Sequence, residues 1–361
     1  MRTKCAMLLI AVAVCAIANV STTATPIQIY GVWHAGNDAC IWGSVRNTQP
    51  LAEFDQKNHW IIDRGDDVPS VNLVILSFVQ PLKLLNGTTD SQTLNGVPRG
   101  MTSDVVQYFT SHGIRVMLSI GGITYVNYWD QALAANPDKL GHNAAAVAKS
   151  LGVGIEIDYE GDSAASITGL ETFIKAYRLD VPYDASGANP AARLTIDLAA
   201  GDRWLIALAA KATRDWLSTS DPQMLLDYAN AMVPSKQPSA SAAISNWQEH
   251  ISGNSRMSPP VPPLAPCKLT GSLFLTGRGV TAECKSFAKS VNFATANYVE
   301  TVAPTKGYGI TPGMLGYMFW AAECEGTKTT CTTPPNTCEG GLGVGSLTFN
   351  IQFPMPALRQ Q

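Results

Sequence analysis

Three acids stand two residues apart near the middle of the chain. The segment 153–160 reads VGIEIDYE and carries Glu156, Asp158 and Glu160. Side chains alternate faces along an extended strand, so Gly154, Glu156, Asp158 and Glu160 point one way, and Val153, Ile155, Ile157 and Tyr159 the other. Successive acids then lie about 6.6 Å apart along the strand. Burying carboxylates costs several kcal/mol apiece unless they are paired or share a proton, and the segment contains no Lys or Arg. Crowding raises at least one pKa, which leaves a neutral carboxylic acid beside an ionised one. That combination serves a general acid acting on a glycosidic oxygen. The competing reading is that Arg115 or Arg193, from neighbouring strands, pairs with these acids in a purely structural role.

Short runs rich in Val, Ile, Leu, Phe and Tyr recur along the chain near 27–33, 71–79, 114–120, 153–159, 193–199, 227–233, 269–275 and 314–320. Most are almost continuously apolar, as parallel strands covered on both faces must be. Helical periodicity fills the gaps at 103–112 (closed by Gly113), 143–151 (ended by Gly152), 165–179, 203–217 and 282–302. Eight strand–helix alternations predict the α/β class and a closed (β/α)8, or TIM, barrel. An open doubly wound sheet normally carries a Gly-rich phosphate loop after its first strand, and Gly31-Val32-Trp33-His34 is not one. The stretch 237–266, with Trp247 and the Pro-rich run 259–263, is expected to form an irregular excursion between strands six and seven. Glu160 falls at the C-terminal end of strand four, the end where such barrels keep their chemistry.

The N-terminus reads as an export signal: Arg2 and Lys4 precede an apolar run from Cys5 to Ala18, with small residues at Ala16 and Ala18. Residues 1–18 are its expected extent, with cleavage after Ala24 the second choice, and 25–361 form the expected catalytic domain. The run is short for a membrane span, so a secreted, extracellular protein with no stable membrane insertion is expected. Cys40, Cys267, Cys284, Cys324, Cys331 and Cys338 remain after cleavage, an even number that suggests disulfides without choosing among their pairings. Asn86-Gly87-Thr88 is a glycosylation acceptor sequence in a turn-like stretch. A net charge of −3 and the absence of a basic run argue against nucleic acid as a partner. The five His residues are scattered, and neither a metal site nor a cofactor is expected. A monomer is expected.

Against this background a family resemblance becomes specific. The segment Val153–Glu160 resembles the catalytic strand of family-18 glycoside hydrolases, the chitinases, whose pattern is Asp-x-x-Asp-x-Asp-x-Glu. Ser119-Ile120-Gly121-Gly122 is similar to that family's third-strand Ser-x-Gly-Gly, and Gly316–Trp320 to its eighth strand, which ends in a Trp that floors the sugar site. Tyr30-Gly31 and Phe78 stand where the family has strands one and two. The resemblance implies that Glu160 protonates the leaving oxygen and that Asp158 orients the substrate's own N-acetyl group for attack on the anomeric carbon. This is a substrate-assisted variant of the two-carboxylate scheme. Glu156 would hold or share a proton with Asp158, and Trp320 would stack on the sugar ring.

Two positions depart from the family pattern. Val153 replaces its first Asp, and Glu156 its second. The sixth-strand Tyr is also missing, since Met232 is followed by Val233-Pro234-Ser235; Tyr228 and Tyr317 are the candidates to replace it. The substrate-binding set is therefore Trp320, Tyr30, Tyr228, Met232, Gly121 and Gly122. Tyr125, Tyr128 and Trp129 follow the glycine pair, where a loop could present aromatics to a glycan or simply pack. Trp33 and His34 could border the cleft, and Asp197 on strand five is expected to face the lumen. The implied partner is chitin or another N-acetylglucosamine-containing glycan. A non-cutting chitinase-like lectin and an endo-β-N-acetylglucosaminidase acting on N-glycans are the alternatives.

Overall fold

The computed structural model describes residues 26–35, 51–161, 163–198, 226–232, 239–256, 258, 260, 262–274, 291–320, 322 and 341–359. Within them, eight parallel strands close on themselves in sequence order: β1 (Ile29–Ala35), β2 (Leu73–Val79), β3 (Arg115–Gly121), β4 (Gly154–Asp158), β5 (Leu194–Leu198), β6 (Ala229–Ala231), β7 (Leu269–Phe274) and β8 (Gly316–Trp320), which returns to β1. Each overlaps one of the eight expected runs. The chain is thus a (β/α)8 barrel. Runs such as Leu73–Val79, buried at every position, suit a strand that has helices on one face and the barrel lumen on the other.

The covering helices are α1 (Leu51–Ile62), α2 (Pro81–Asn86), α3 (Ser103–Thr110), α4 (Val126–Ala135), α5 (Pro137–Leu151), α6 (Ala164–Asp180), α7 (Ala240–Ser252), α8 (Val291–Thr301) and α9 (Gly341–Thr348). A small antiparallel hairpin, Thr93–Leu94 with Val97–Pro98, lies outside the barrel. Local chemistry sets the helix ends. Thr102 caps α3 by accepting from the Val105 N–H at 3.3 Å, and Asn136 caps α5 by accepting from Lys139 N–H at 2.9 Å. Gly152 ends α5 in the left-handed region at φ 67°. The helix expected over 143–151 is the second half of α5, and that over 165–179 extends by one residue at each end as α6. Of the helix expected over 282–302, the described part is α8; the one over 203–217 lies outside the described residues.

The expected excursion between β6 and β7 is organised around a helix. Ser239 caps α7, and Ala243, Trp247, His250 and Ile251 recur at helical spacing and are all buried. Trp247 packs its ring over Gly271 of β7, where a Cβ would meet the indole carbons at 2.7 Å. Among the described residues, the connection that follows Gly253 has no helix or strand until a single turn at Pro266–Lys268.

The core has two layers. The larger lies between strands and helices; the smaller fills the lumen with Ile29, Trp33, Leu73, Ile75, Met117, Tyr228, Leu315 and Met318. The Met318 sulfur occupies the space that a side chain at Gly31 would need. At the N-terminal end of the strands the C-terminal segment lays Met355 and Leu358 against this cluster. It is anchored by Gln28 Nε2 donating to the Ala357 carbonyl at 2.8 Å and by Arg359 Nε donating to Gln28 Oε1 at 2.9 Å.

Candidate active site

Strand register brings the acids together at the other end of the lumen. Glu156 lies level with Ser119 on β3 and Thr195 on β5, and Asp158 with Gly121. Asp197 pairs in register with Asn230 on β6, and Asn230 with Thr270 on β7. All belong to the inward-facing set, so polar side chains from β3 to β7 line the C-terminal half of the lumen above the apolar plug. Glu156, Asp158, Glu160 and Asp197 are all buried.

Glu156 is the best-held acid. Its Oε1 accepts from the Trp33 indole N–H at 2.9 Å and its Oε2 from the Asn230 amide at 2.7 Å. Asn230 is itself fixed by Thr270, whose hydroxyl donates to its Oδ1 at 2.6 Å. Asp197 adds a further side-chain hydrogen bond to Glu156. Asp158 is different: its Oδ1 is buried and has no hydrogen-bond partner among the described residues.

The protonation states follow from these surroundings. Burial, and then the charges of Glu160 and Glu156, push Asp158 well above the ordinary carboxylate range. Burial, followed by the charges of Glu156 and Asp158, does the same to Asp197. Burial also raises Glu156, but hydrogen bonds from Trp33, Asp197, Ser119 and Asn230 oppose it. Of the three, Glu156 has the surroundings that most favour the anion, while Asp158 and Asp197 are driven toward the protonated form.

The competing structural reading of the acids fails. Arg193 Nη1 pairs with Asp227 Oδ1 at 2.8 Å, and Arg178 Nη2 with Asp227 Oδ2 at 3.1 Å. Arg115 donates to the Gly187 carbonyl at 2.7 Å. These groups flank the N-terminal ends of the strands, and no described Lys or Arg forms an ion pair with Glu156, Asp158 or Asp197.

The glycine pair shapes the mouth. Gly121 has φ 122°, and a Cβ there would run into the Asp158 carbonyl and the Trp129 indole nitrogen. Gly122 donates its N–H to the Asp158 carbonyl at 3.0 Å and lies under the Phe78 ring. Trp320, half-buried at the end of β8, packs on the lumen cluster and faces Phe78 with ring centroids 5.7 Å apart. Met232, one residue past β6 and half-buried, also lies at this end.

Other expected residues lie elsewhere. Tyr30 points outward from β1: it is fully buried in the strand–helix layer against Tyr317 and Phe319, with its hydroxyl 3.3 Å from Asn292 Oδ1. It is not a cleft residue, and Tyr317 shares its layer. Tyr228 does enter the lumen, but deep within the plug, its hydroxyl 4.0 Å from the Met117 sulfur. His34 faces outward and hydrogen-bonds Asn58 at 2.7 Å. Trp129 is fully buried on α4 and donates to the Asp158 carbonyl at 3.1 Å, so it braces the acidic strand rather than presenting itself to a ligand. Tyr128 is exposed, with the half-buried Tyr125 ring 5.9 Å away. Residues 1–25 and 233–235 lie outside the described residues, as do Cys40, Cys284, Cys324, Cys331 and Cys338; Cys267 is buried and unbridged. Asn86 is exposed at the end of α2. No helix among the described residues is long and apolar enough to cross a membrane.

Sequence reasoning missed Asn230 and Thr270. Asn230 shares strand parity with Tyr228 and Met232, and a lone amide in an apolar inward-facing row is the signal that marks it.

No protein-family model and no curated sequence matches the chain. Among solved structures it is similar to a chitinase from Rhizomucor miehei (17% identity over 76% of this chain and 93% of that one, TM-score 0.46). It is also similar to a family GH18 chitinase from Cycas revoluta solved with allosamidin (13% identity, 88% and 99% covered, TM-score 0.47). A third is the spore cortex-lytic enzyme SleL of Bacillus cereus (13% identity, 91% and 75% covered, TM-score 0.46). At these identities and scores the likeness concerns the fold and says nothing of what this chain acts on.

Proposed function

We propose that the chain is a secreted, retaining glycoside hydrolase that cleaves β-1,4-linked N-acetylglucosamine in chitin or chitooligosaccharides. The observation that carries this reading is Asp158: a buried acid, its Oδ1 without a hydrogen-bond partner among the described residues and its carboxyl driven toward the protonated form, between the firmly held Glu156 and a second acid, Glu160, at the end of the strand. Such an acid has a proton to share with Glu160 or to offer to an N-acetyl group. Glu160 protonates the glycosidic oxygen, and the leaving sugar departs with that proton. The N-acetyl carbonyl oxygen, steered by Asp158, bonds to the anomeric carbon as the glycosidic bond breaks. Water then attacks the same carbon, Glu160 takes back a proton, and the configuration is retained. Trp320 offers an apolar ring face to the sugar bound there.

Incubation with N-acetylglucosamine oligomers, followed by product analysis, tests the proposal. Wild type should release shorter oligomers with the β-anomer formed first, and Glu160→Gln should abolish cleavage while leaving the circular dichroism unchanged. Full activity in the variant overturns the role of Glu160. Val153, which replaces the family's first acid, favours a second reading as a glycan-binding lectin; tight oligomer binding without product would establish it. Release of N-glycans from glycoproteins in place of oligomer cleavage would point to an endo-β-N-acetylglucosaminidase.

A further inference from the structure

The acid on β5 has no counterpart in the Asp-x-x-Asp-x-Asp-x-Glu strand pattern. Within that strand Val153 contributes no carboxyl at the first position, and it is fully buried. Asp197 arrives from the neighbouring strand: it lies one residue past the last register pair of β4 with β5, Ile157 with Ile196, and so stands beside Asp158 at the top of the lumen. It hydrogen-bonds Glu156, and its register partner Asn230 hydrogen-bonds the same carboxylate. We propose that Asp197 is a positioning residue that donates a hydrogen bond to Glu156 and thereby keeps that carboxylate anionic and fixed, so that Asp158 retains the proton the reaction uses.

The argument is one of competition for protons. Glu156 and Asp158 share one strand face, and without enough donors Glu156 would draw the proton from its neighbour. Trp33 and Asn230 supply two donors. A neutral Asp197 supplies another while adding no charge beside Glu156 and Asp158, with which no described Lys or Arg pairs. The hydrogen-bonded acid pair thus runs across strands, from β5 to β4, where the family pattern runs it along one strand.

This inference rests on the proposed hydrolase reading, and two readouts separate their failures. Asp197→Leu should lower kcat on N-acetylglucosamine oligomers by about 10- to 100-fold with KM little changed. Asp197→Asn, whose amide still donates to Glu156, should recover most of that loss. A Leu variant as fast as wild type, or an Asn variant no better than Leu, overturns the proposal. Independently of activity, the infrared carbonyl band of protonated carboxyls in the folded full-length chain should lose one component in Asp197→Asn and a different one in Asp158→Asn. An unchanged band in Asp197→Asn shows that Asp197 is ionised and overturns the assignment, even if the Leu variant does not fold. Absence of cleavage by wild type refutes the hydrolase alone, while the band still decides the state of Asp197.

Discussion

The indole N–H of Trp33 on β1 reaches across the lumen to Oε1 of Glu156 on β4, 2.9 Å away. One aromatic side chain thus closes the top of the apolar plug and fixes the anion around which the other acids are arranged.

Removing that donor should be costly. A hydrogen bond to a buried charged group is worth about 1.5–3 kcal/mol, so Trp33→Phe is expected to lower the unfolding free energy by about 2 kcal/mol at pH 7. Urea denaturation measures this, and an unshifted midpoint would show the bond to be dispensable.

Asp158 predicts a stability that depends on pH. Its folded-state pKa lies well above the unfolded value, so between the two the folded chain binds the extra proton, and stability falls as pH rises through that window. Asp158→Asn mimics the protonated form. Its melting temperature should match wild type near pH 4 and exceed it progressively toward pH 8; a constant difference across that range would contradict the assignment.

Gly121 and Gly152 both have positive φ, 122° and 67°, but only Gly121 is hemmed in, by the Asp158 carbonyl and Trp129. Gly152→Ala should cost about 1 kcal/mol from backbone conformation alone. Gly121→Ala should cost about 3 kcal/mol or more and, by displacing the Asp158 backbone, remove activity. Equal losses in the two variants would mean that the close contact is of no account.

His250 on α7 is buried, with neither ring nitrogen hydrogen-bonded among the described residues, and burial pulls its pKa down to about 4. The neutral ring's contribution is complete above the unfolded value near 6.5 and is lost as pH falls toward about 4. The loss amounts to about 3 kcal/mol. His250→Leu should therefore flatten the acid side of the stability profile, and an identical decline in both proteins would exclude His250 as its source.

The barrel was legible because most of the strands are almost continuously apolar runs and strand four carries three acids in step. Alternation within that strand fixed which acids face inward, and it extended correctly to Asp197. On strand one the same alternation gives Ile29, Gly31 and Trp33 the inward places and leaves Tyr30 and His34 in the outer layer. Trp129 reads as a loop aromatic because Gly122 precedes it closely, yet a single 3-10 turn at Ile123–Tyr125 leads directly into α4 and buries it. Arg115 and Arg193 share the inward parity of the acids, so periodicity alone leaves their pairing open; they stand at the opposite, N-terminal end of the lumen, where Asp227 and the Gly187 carbonyl hold them.

Because Met318 fills the space beneath Gly31 and the C-terminal segment lays Met355 and Leu358 against the same cluster, the described residues close the N-terminal end of the cylinder. A polymer cannot be threaded through it. Under the proposed hydrolase reading a long ligand would lie crosswise over the C-terminal rim, with one unit dipping toward the acids, and both fragments of a severed chain would depart from the side by which they arrived.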